Sequence, residues 1–129
     1  MMFAVSRDER WLALGMVGGV PAIGVRATAG GEWRPALSAE GANRVVPIGW
    51  SPDDTKLYAW RRTGLGTEHV ATEIWSIPVV NGVPGPPSRL SEIPGMTDAR
   101  KIRLSPDGRE LLFTAGSIGG STWLMRGIQ

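Results

Sequence analysis

Three observations predict an all-β chain built from repeated antiparallel sheets. An eight-residue segment recurs three times without gaps, apolar runs flank every copy, and glycine and proline are frequent, at 18 and 10 of 129 residues. The copies are Ser6-Arg7-Asp8-Glu9-Arg10-Trp11-Leu12-Ala13, Ser51-Pro52-Asp53-Asp54-Thr55-Lys56-Leu57-Tyr58 and Ser105-Pro106-Asp107-Gly108-Arg109-Glu110-Leu111-Leu112. Apolar or alternating runs precede them (Phe3 to Val5, Val45 to Trp50, Ile102 to Leu104) and follow them (Trp11 to Leu14, Leu57 to Trp60, Leu111 to Thr114). Each copy therefore reads as strand, tight turn, strand.

The turn residues justify the hairpin. In Ser105-Pro106-Asp107-Gly108, proline pre-sets φ at the first central position. Aspartate suits the second and can bond local backbone N–H groups, and glycine accepts the left-handed conformation that closes the turn. Asp54 stands at the glycine position in the second copy, at modest cost because aspartate visits that region readily. Glu9 stands there in the first copy and fits worse, at a cost of about 1 kcal/mol if φ is positive. The first turn is expected to be the weakest.

A downstream landmark sets the register. Ser105 to Trp123 spans 18 residues, Ser6 to Gly24 spans 18, and Ser51 to Trp75 spans 24. The first and third copies thus share one spacing, and the second carries six extra residues in the loop around Arg62 to Thr72. The segments Ala22 to Arg26, Glu73 to Ile77 and Thr122 to Met125 are third strands with alternating large apolar side chains. Fourth strands follow at Trp33 to Leu37 and Ser88 to Leu90, after turns carrying Gly30-Gly31 and the run Asn81 to Pro87. The Ser-to-Ser repeat lengths are 45 and 54 residues. A four-stranded propeller blade takes about 40–50 residues. The expected fold is an all-β partial β-propeller of three four-stranded antiparallel blades, about 1–40, 44–93 and 99–129, the last lacking its fourth strand.

Trp50 to Tyr58 and Leu104 to Phe113, each followed by a strand such as Ile74-Trp75 or Trp123-Leu124-Met125, resemble the TolB-like, WD-type propeller repeat. The resemblance covers nearly the whole chain; the first copy departs from it, with Arg7 for proline, Glu9 for glycine and Gly24 for tryptophan. It implies kinship with propellers of periplasmic TolB, of prolyl-oligopeptidase-like peptidases, and of sensor halves of bacterial kinases and transcriptional regulators. The ending Ser121 to Gly127 resembles C-termini of that last group, which implies the C-terminal half of a larger propeller. Propellers close at about four to eight blades. Three blades leave raw apolar faces, so either further blades belong to a longer parent or two copies close a six-bladed ring.

Composition narrows the function. A hydrophobic fraction of 42% and a charged fraction of 20% are globular values. The pI of 9.7 reflects arginine, 12 of the 14 basic residues, while the net charge is only +2. Arg100, Lys101 and Arg103 form the sole basic cluster, too small for a nucleic-acid footprint. The absence of cysteine excludes disulfides and thiolate metal sites. Met1 to Arg10 is too charged for a signal peptide and no apolar run reaches membrane-spanning length. The sequence as it stands is expected to be cytoplasmic, or periplasmic within a longer protein.

No catalytic, metal or cofactor constellation is expected. His69 is the lone histidine, Asp8, Asp53 and Asp107 each serve turn closure, and no Gly-x-Ser-x-Gly elbow activates a serine. The glycine-rich stretch Gly116 to Gly120 has neither the lysine nor the helix of a phosphate cradle and reads as a hairpin. Five of the six tryptophans fall on strands and are expected to pack, with Trp33 the most exposed. The extended loop Arg61 to His69 is the expected partner-contact site, with Arg61, Arg62, Glu68 and His69 as its contact residues. The expected function is a non-catalytic protein- or peptide-binding module. The alternative is the propeller portion of a peptidase gating a hydrolase domain outside this chain. A metal-dependent propeller lyase or lactonase would need several inward-facing ligands that one histidine does not supply.

Overall fold

The computed structural model describes residues 3–17, 20–38, 42–64, 71–94, 99–115 and 121–126, and every regular element among them is a strand. The first sheet runs β1 (Phe3–Val5), β2 (Trp11–Val17), β3 (Val20–Ala27) and β4 (Gly30–Ser38) in sequential antiparallel order. The second contains β5 (Ala42–Trp50), β6 (Lys56–Thr63), β7 (Ala71–Val80), β8 (Val83–Pro84) and β9 (Ser88–Pro94). Here β8 pairs only with the end of β7, and β9 takes the fourth-strand place against the rest of it. The third runs β10 (Ala99–Leu104), β11 (Glu110–Ala115) and β12 (Ser121–Arg126). The chain is a partial β-propeller whose third blade shows three strands among the described residues.

The pairing reproduces the spacing read from the sequence. Gly24 faces Leu14, Trp75 faces Ala59 and Trp123 faces Phe113, each partner being the eighth residue after its serine. Two local readings are corrected. The turn before β4 is Thr28-Ala29, with Gly30 and Gly31 already inside the strand at φ 125° and 113°. The run after β7 splits into a two-residue turn, Asn81-Gly82 at φ 49° and 75°, followed by the short β8. Positive φ at both central residues gives a turn whose twist matches that of the strands it joins.

Two apolar layers hold the blades together, and period-two alternation, shifted where β4 and β5 lose register, divides the side chains between them. Leu57, Ala59, Ile77 and Val79 of the second blade pack with Ala13, Ile23, Val25 and Leu37 of the first. Tyr58, Trp60, Val46 and Ile74 face the other way, against Leu111 with Ile102 and Leu104 of the third. Because both faces of the middle blade are covered, Leu57 to Trp60 is buried without a break. Each large apolar side chain so enclosed contributes about 1.5–3 kcal/mol.

The same alternation explains the exposed apolar residues. The sixth residue after the serine faces the preceding blade, as Leu57 and Leu111 do, and the seventh faces the following one, as Ala13 and Tyr58 do. Leu112 occupies the seventh place in the third blade and stands 47% exposed. Phe3 and Val5 of β1 pair opposite Leu14 and Leu12 and are 61% and 42% exposed on the outer side of the first blade.

Polar links cross the first interface. The Trp50 indole N–H donates to the Ala4 carbonyl at 3.1 Å, and an Arg61 N–H donates to the Ser38 carbonyl at 3.0 Å. Gly82 lies so close to the face of Trp11 that a Cβ there would overlap the ring. Of the other tryptophans, Trp50 and Trp60 are buried and Trp75 is half-buried against the first layer. Trp33, expected to be the most exposed, is half-buried beneath the Arg26 guanidinium, 4.7 Å from its ring centroid.

Candidate binding face

Each Ser-x-Asp turn is closed by the same five hydrogen bonds. In the second turn the Ser51 N–H donates to the Lys56 carbonyl at 2.8 Å and the Asp54 N–H to the Ser51 carbonyl at 2.9 Å. The Ser51 hydroxyl donates to Asp53 Oδ1 at 2.8 Å and accepts from the Lys56 N–H at 3.0 Å. The Thr55 N–H completes the set on Asp53 Oδ1 at 3.1 Å. Ser6 and Asp8 repeat this arrangement in the first turn, and Ser105 and Asp107 in the third. The serine is therefore the second anchor of the turn, linking the aspartate to the start of the next strand.

These bonds set the charge state of the carboxylates. The hydroxyls of Thr55 and Ser51, followed by the Thr55 N–H, lower the Asp53 pKa to about 2. Asp8 and Asp107 also lie below the ordinary value, through the hydroxyls of Ser6 and Ser105 and then the N–H groups of Arg10 and Arg109. All three are committed, ionised acceptors. The turn-closing role expected for them is what the geometry shows.

The fourth residue of the turn is left-handed in every copy: Glu9 at φ 63°, Asp54 at 60° and Gly108 at 72°. The Asp54 side chain does more than tolerate this. Its two carboxylate oxygens accept the N–H groups of Arg7 at 2.7 Å and Asp8 at 3.0 Å, so the second turn caps the backbone of the first. The Arg7 guanidinium then donates to the Pro106 carbonyl of the third turn at 2.9 Å. Arg7, which breaks the proline pattern of the repeat, is the residue that ties all three turns into one face.

Between the second and third turns lies a cleft of about 560 Å³, walled by Pro52, Asp53, Lys56, Tyr58, Asp107 and Arg109 among others. Tyr58 is wholly buried, and its hydroxyl has no hydrogen-bond partner. Burial, then the Asp53 charge, raises its pKa, so it stays a protonated donor. A second opening of about 360 Å³ is lined by the inner strands β1, β5 and β10, including Val5, Ile48, Trp50 and Leu104, with Arg7 and Arg103 at its wall.

The expected contact loop is placed differently. Arg61 and Arg62 lie in β6, not in a loop: the hairpin lengthens as paired strand up to Thr63 opposite Ala71. Arg62 is buried, and the Arg61 Nε donates to Glu73 Oε1 at 2.7 Å. Glu73 also accepts from the Trp75 indole at 3.2 Å and from Arg89 at 3.2 Å. Burial opposes its ionisation most strongly, but these donors and the Arg61 charge outweigh it and hold its pKa below the ordinary value. Arg61 thus serves both its own blade and the link to the first, and Arg62 lies over the Trp60 ring, 5.3 Å from its centroid. Glu68 and His69 lie outside the described residues.

Sequence reading missed Asp54 as a ligand of its neighbour and Tyr58 as a polar group inside the blade interface. A signal for the second was present: the repeat has Ala13 and Leu112 where Tyr58 stands, so a hydroxyl there breaks an apolar position.

No family model matches the chain, and no curated protein matches it. Among solved structures, one assigned to TolB from Agrobacterium tumefaciens is similar over 99% of this chain, with a TM-score of 0.65 and 23% identity. That likeness is one of fold: the chain is an all-β, TolB-like partial propeller. It spans 43% of the length of that structure.

Proposed function

We propose that this chain is a non-catalytic module that binds a protein or peptide through its turn face, within a larger bacterial sensor or regulatory protein. The observation that carries the reading is the cross-linking of three turns from three blades by Asp54 and Arg7. A face fixed in this way loses little conformational freedom when a partner docks. Its carboxylates are held ionised by their own turns, which suits structure rather than proton transfer. The exposed faces at Phe3, Val5 and Leu112 are where further blades of the parent, or a second copy, would pack.

Selection of a displayed random-peptide library on the immobilised chain tests this. Enriched peptides should bind the parent and the Leu90→Arg control, which alters an exposed position on the fourth strand of the second blade. They should lose the Pro52→Arg/Pro106→Arg double variant, which changes two exposed turn positions. Failure to enrich any sequence, or enrichment indifferent to the turn variant, would overturn the proposal.

A further inference from the structure

The cleft between the second and third turns has an unbalanced set of hydrogen-bonding groups. Its acceptors Asp53 Oδ1 and Asp107 Oδ1 are occupied by the serine hydroxyls and backbone N–H groups of their own turns. Thr55 also spends its hydroxyl proton on Asp53, at 2.7 Å. Besides Asp53 Oδ2, the uncommitted side-chain groups are donors. Lys56 and Arg109 form no ion pair with any described residue, and the buried Tyr58 hydroxyl has no partner. Lysine and arginine have no acceptor capacity, and a buried hydroxyl without a partner is disfavoured.

The three donors come from different parts of the fold: Lys56 and Tyr58 from β6, and Arg109 from the turn before β11. The packing of the second blade on the third brings them around one space. Tyr58 lines that space with its hydroxyl closed to solvent, so an occupant reaches it by turning a wall side chain, and the long ones there are half-buried Lys56 and exposed Arg109. The volume of about 560 Å³ holds several ligand atoms beyond the anchoring group.

We propose that this cleft binds a carboxylate group, with the Tyr58 hydroxyl, the Lys56 ammonium and the Arg109 guanidinium as its donors. A carboxylate offers about four lone-pair sites for three donors that come from one cleft, and two of those donors supply charge-assisted bonds. Asp53 and Asp107 balance the two cations, so the donors select the ligand and net charge does not. The inference rests on reading the turn face as a recognition surface. The carboxylate can come from the free C-terminus of a peptide or from a small organic acid.

Amide correlation spectra of the isotope-labelled chain, titrated with three probes, separate these cases. The probes are acetate, an N-acetylated tripeptide with a free C-terminus, and the same tripeptide as its C-terminal amide. The free acid should give saturable shifts at Lys56, Tyr58 and Arg109, with the amide at least tenfold weaker. Acetate acting as strongly as the peptide acid points to the small-acid source, and a tighter peptide acid points to the C-terminus. Tyr58→Phe should weaken the acid at least fivefold, and Lys56→Gln/Arg109→Gln should abolish its shifts. Acid and amide binding equally, or no saturable shift at these three residues, overturns the proposal.

Thermal melting supplies a second readout. An unpartnered hydroxyl predicts that Tyr58→Phe melts at or above the parent temperature. A fall of several degrees would show that the hydroxyl is already bonded in the free protein, and would overturn the assignment. A library-selected peptide that keeps its affinity when amidated refutes the carboxylate inference and leaves the recognition face standing. Carboxylate shifts without any selectable peptide do the reverse.

Discussion

Glu9 and Asp54 occupy the same left-handed position in successive turns, at φ 63° and 60°, yet replacing each with glycine should change stability in opposite directions. The left-handed conformation costs an ordinary residue about 1–2 kcal/mol. Glycine removes that cost but returns about 0.5–1 kcal/mol through the greater freedom of its unfolded chain. The Glu9 side chain is exposed, and its turn bonds are made by its backbone. Glu9→Gly should therefore stabilise by about 0.5–1 kcal/mol, raising Tm by about 2–5 °C for a domain of this size. Asp54→Gly gains less relief, because aspartate tolerates the region, and it removes both bonds to the first turn, at 2.7 and 3.0 Å. Bonds to a charged acceptor are worth about 1.5–3 kcal/mol when buried and less at this exposed edge, so a net loss of about 1–2 kcal/mol is expected. Urea unfolding followed by far-UV circular dichroism reads both, with Cm moving and m constant. Equal shifts in the two variants, or a destabilised Glu9→Gly, would refute the assignment of the Asp54 side chain as a cap.

Other outcomes follow from the same structure. Glu73→Gln should cost about 2 kcal/mol, because it leaves half-buried Arg61 without its charged acceptor. Since the folded pKa of Glu73 is depressed below 4.5, its contribution is present above that value and lost as pH falls through the folded pKa. The acid limb of the parent stability curve should accordingly be steeper than that of the variant. A carboxyl titration by NMR should find the Asp53 midpoint at about 2, with Asp8 and Asp107 below 3.8. Gly82→Ala should lower Tm more than an exposed substitution such as Leu90→Ala, because both φ and the Trp11 ring oppose a Cβ; calorimetry compares them. If two copies close a ring, light scattering should give about twice 13.8 kDa, falling to the single-chain mass on Leu112→Lys. A parent chain that runs as a monomer would refute self-closure.

How far the sequence led varies by element. Ser-Pro-Asp-Gly turns act within a few residues, so the aspartate's bonds to backbone N–H groups and the left-handed fourth position were legible, and the Glu9 strain with them, while the two bonds of the serine hydroxyl were not. The register was legible because the distances from Ser6, Ser51 and Ser105 to Gly24, Trp75 and Trp123 are kept by pairing. Arg61 and Arg62 misled because two arginines before a glycine resemble an exposed loop. In the fold, cross-strand pairing extends β6 through them, and Glu73, twelve residues on, supplies the partner that makes Arg61 acceptable inside.

Thus the local chemistry of this chain determined its turns, its strands and their order within each blade, since those depend on short-range backbone preferences and period-two patterning. The tertiary structure decided which turn touches which, that Asp54 and Arg7 bind other blades, and that Tyr58, Lys56 and Arg109 share a cleft. The physical reason is sequence distance. Contacts between residues about fifty positions apart are fixed by how one sheet packs on the next, and a repeat read along the chain carries no such angle or separation.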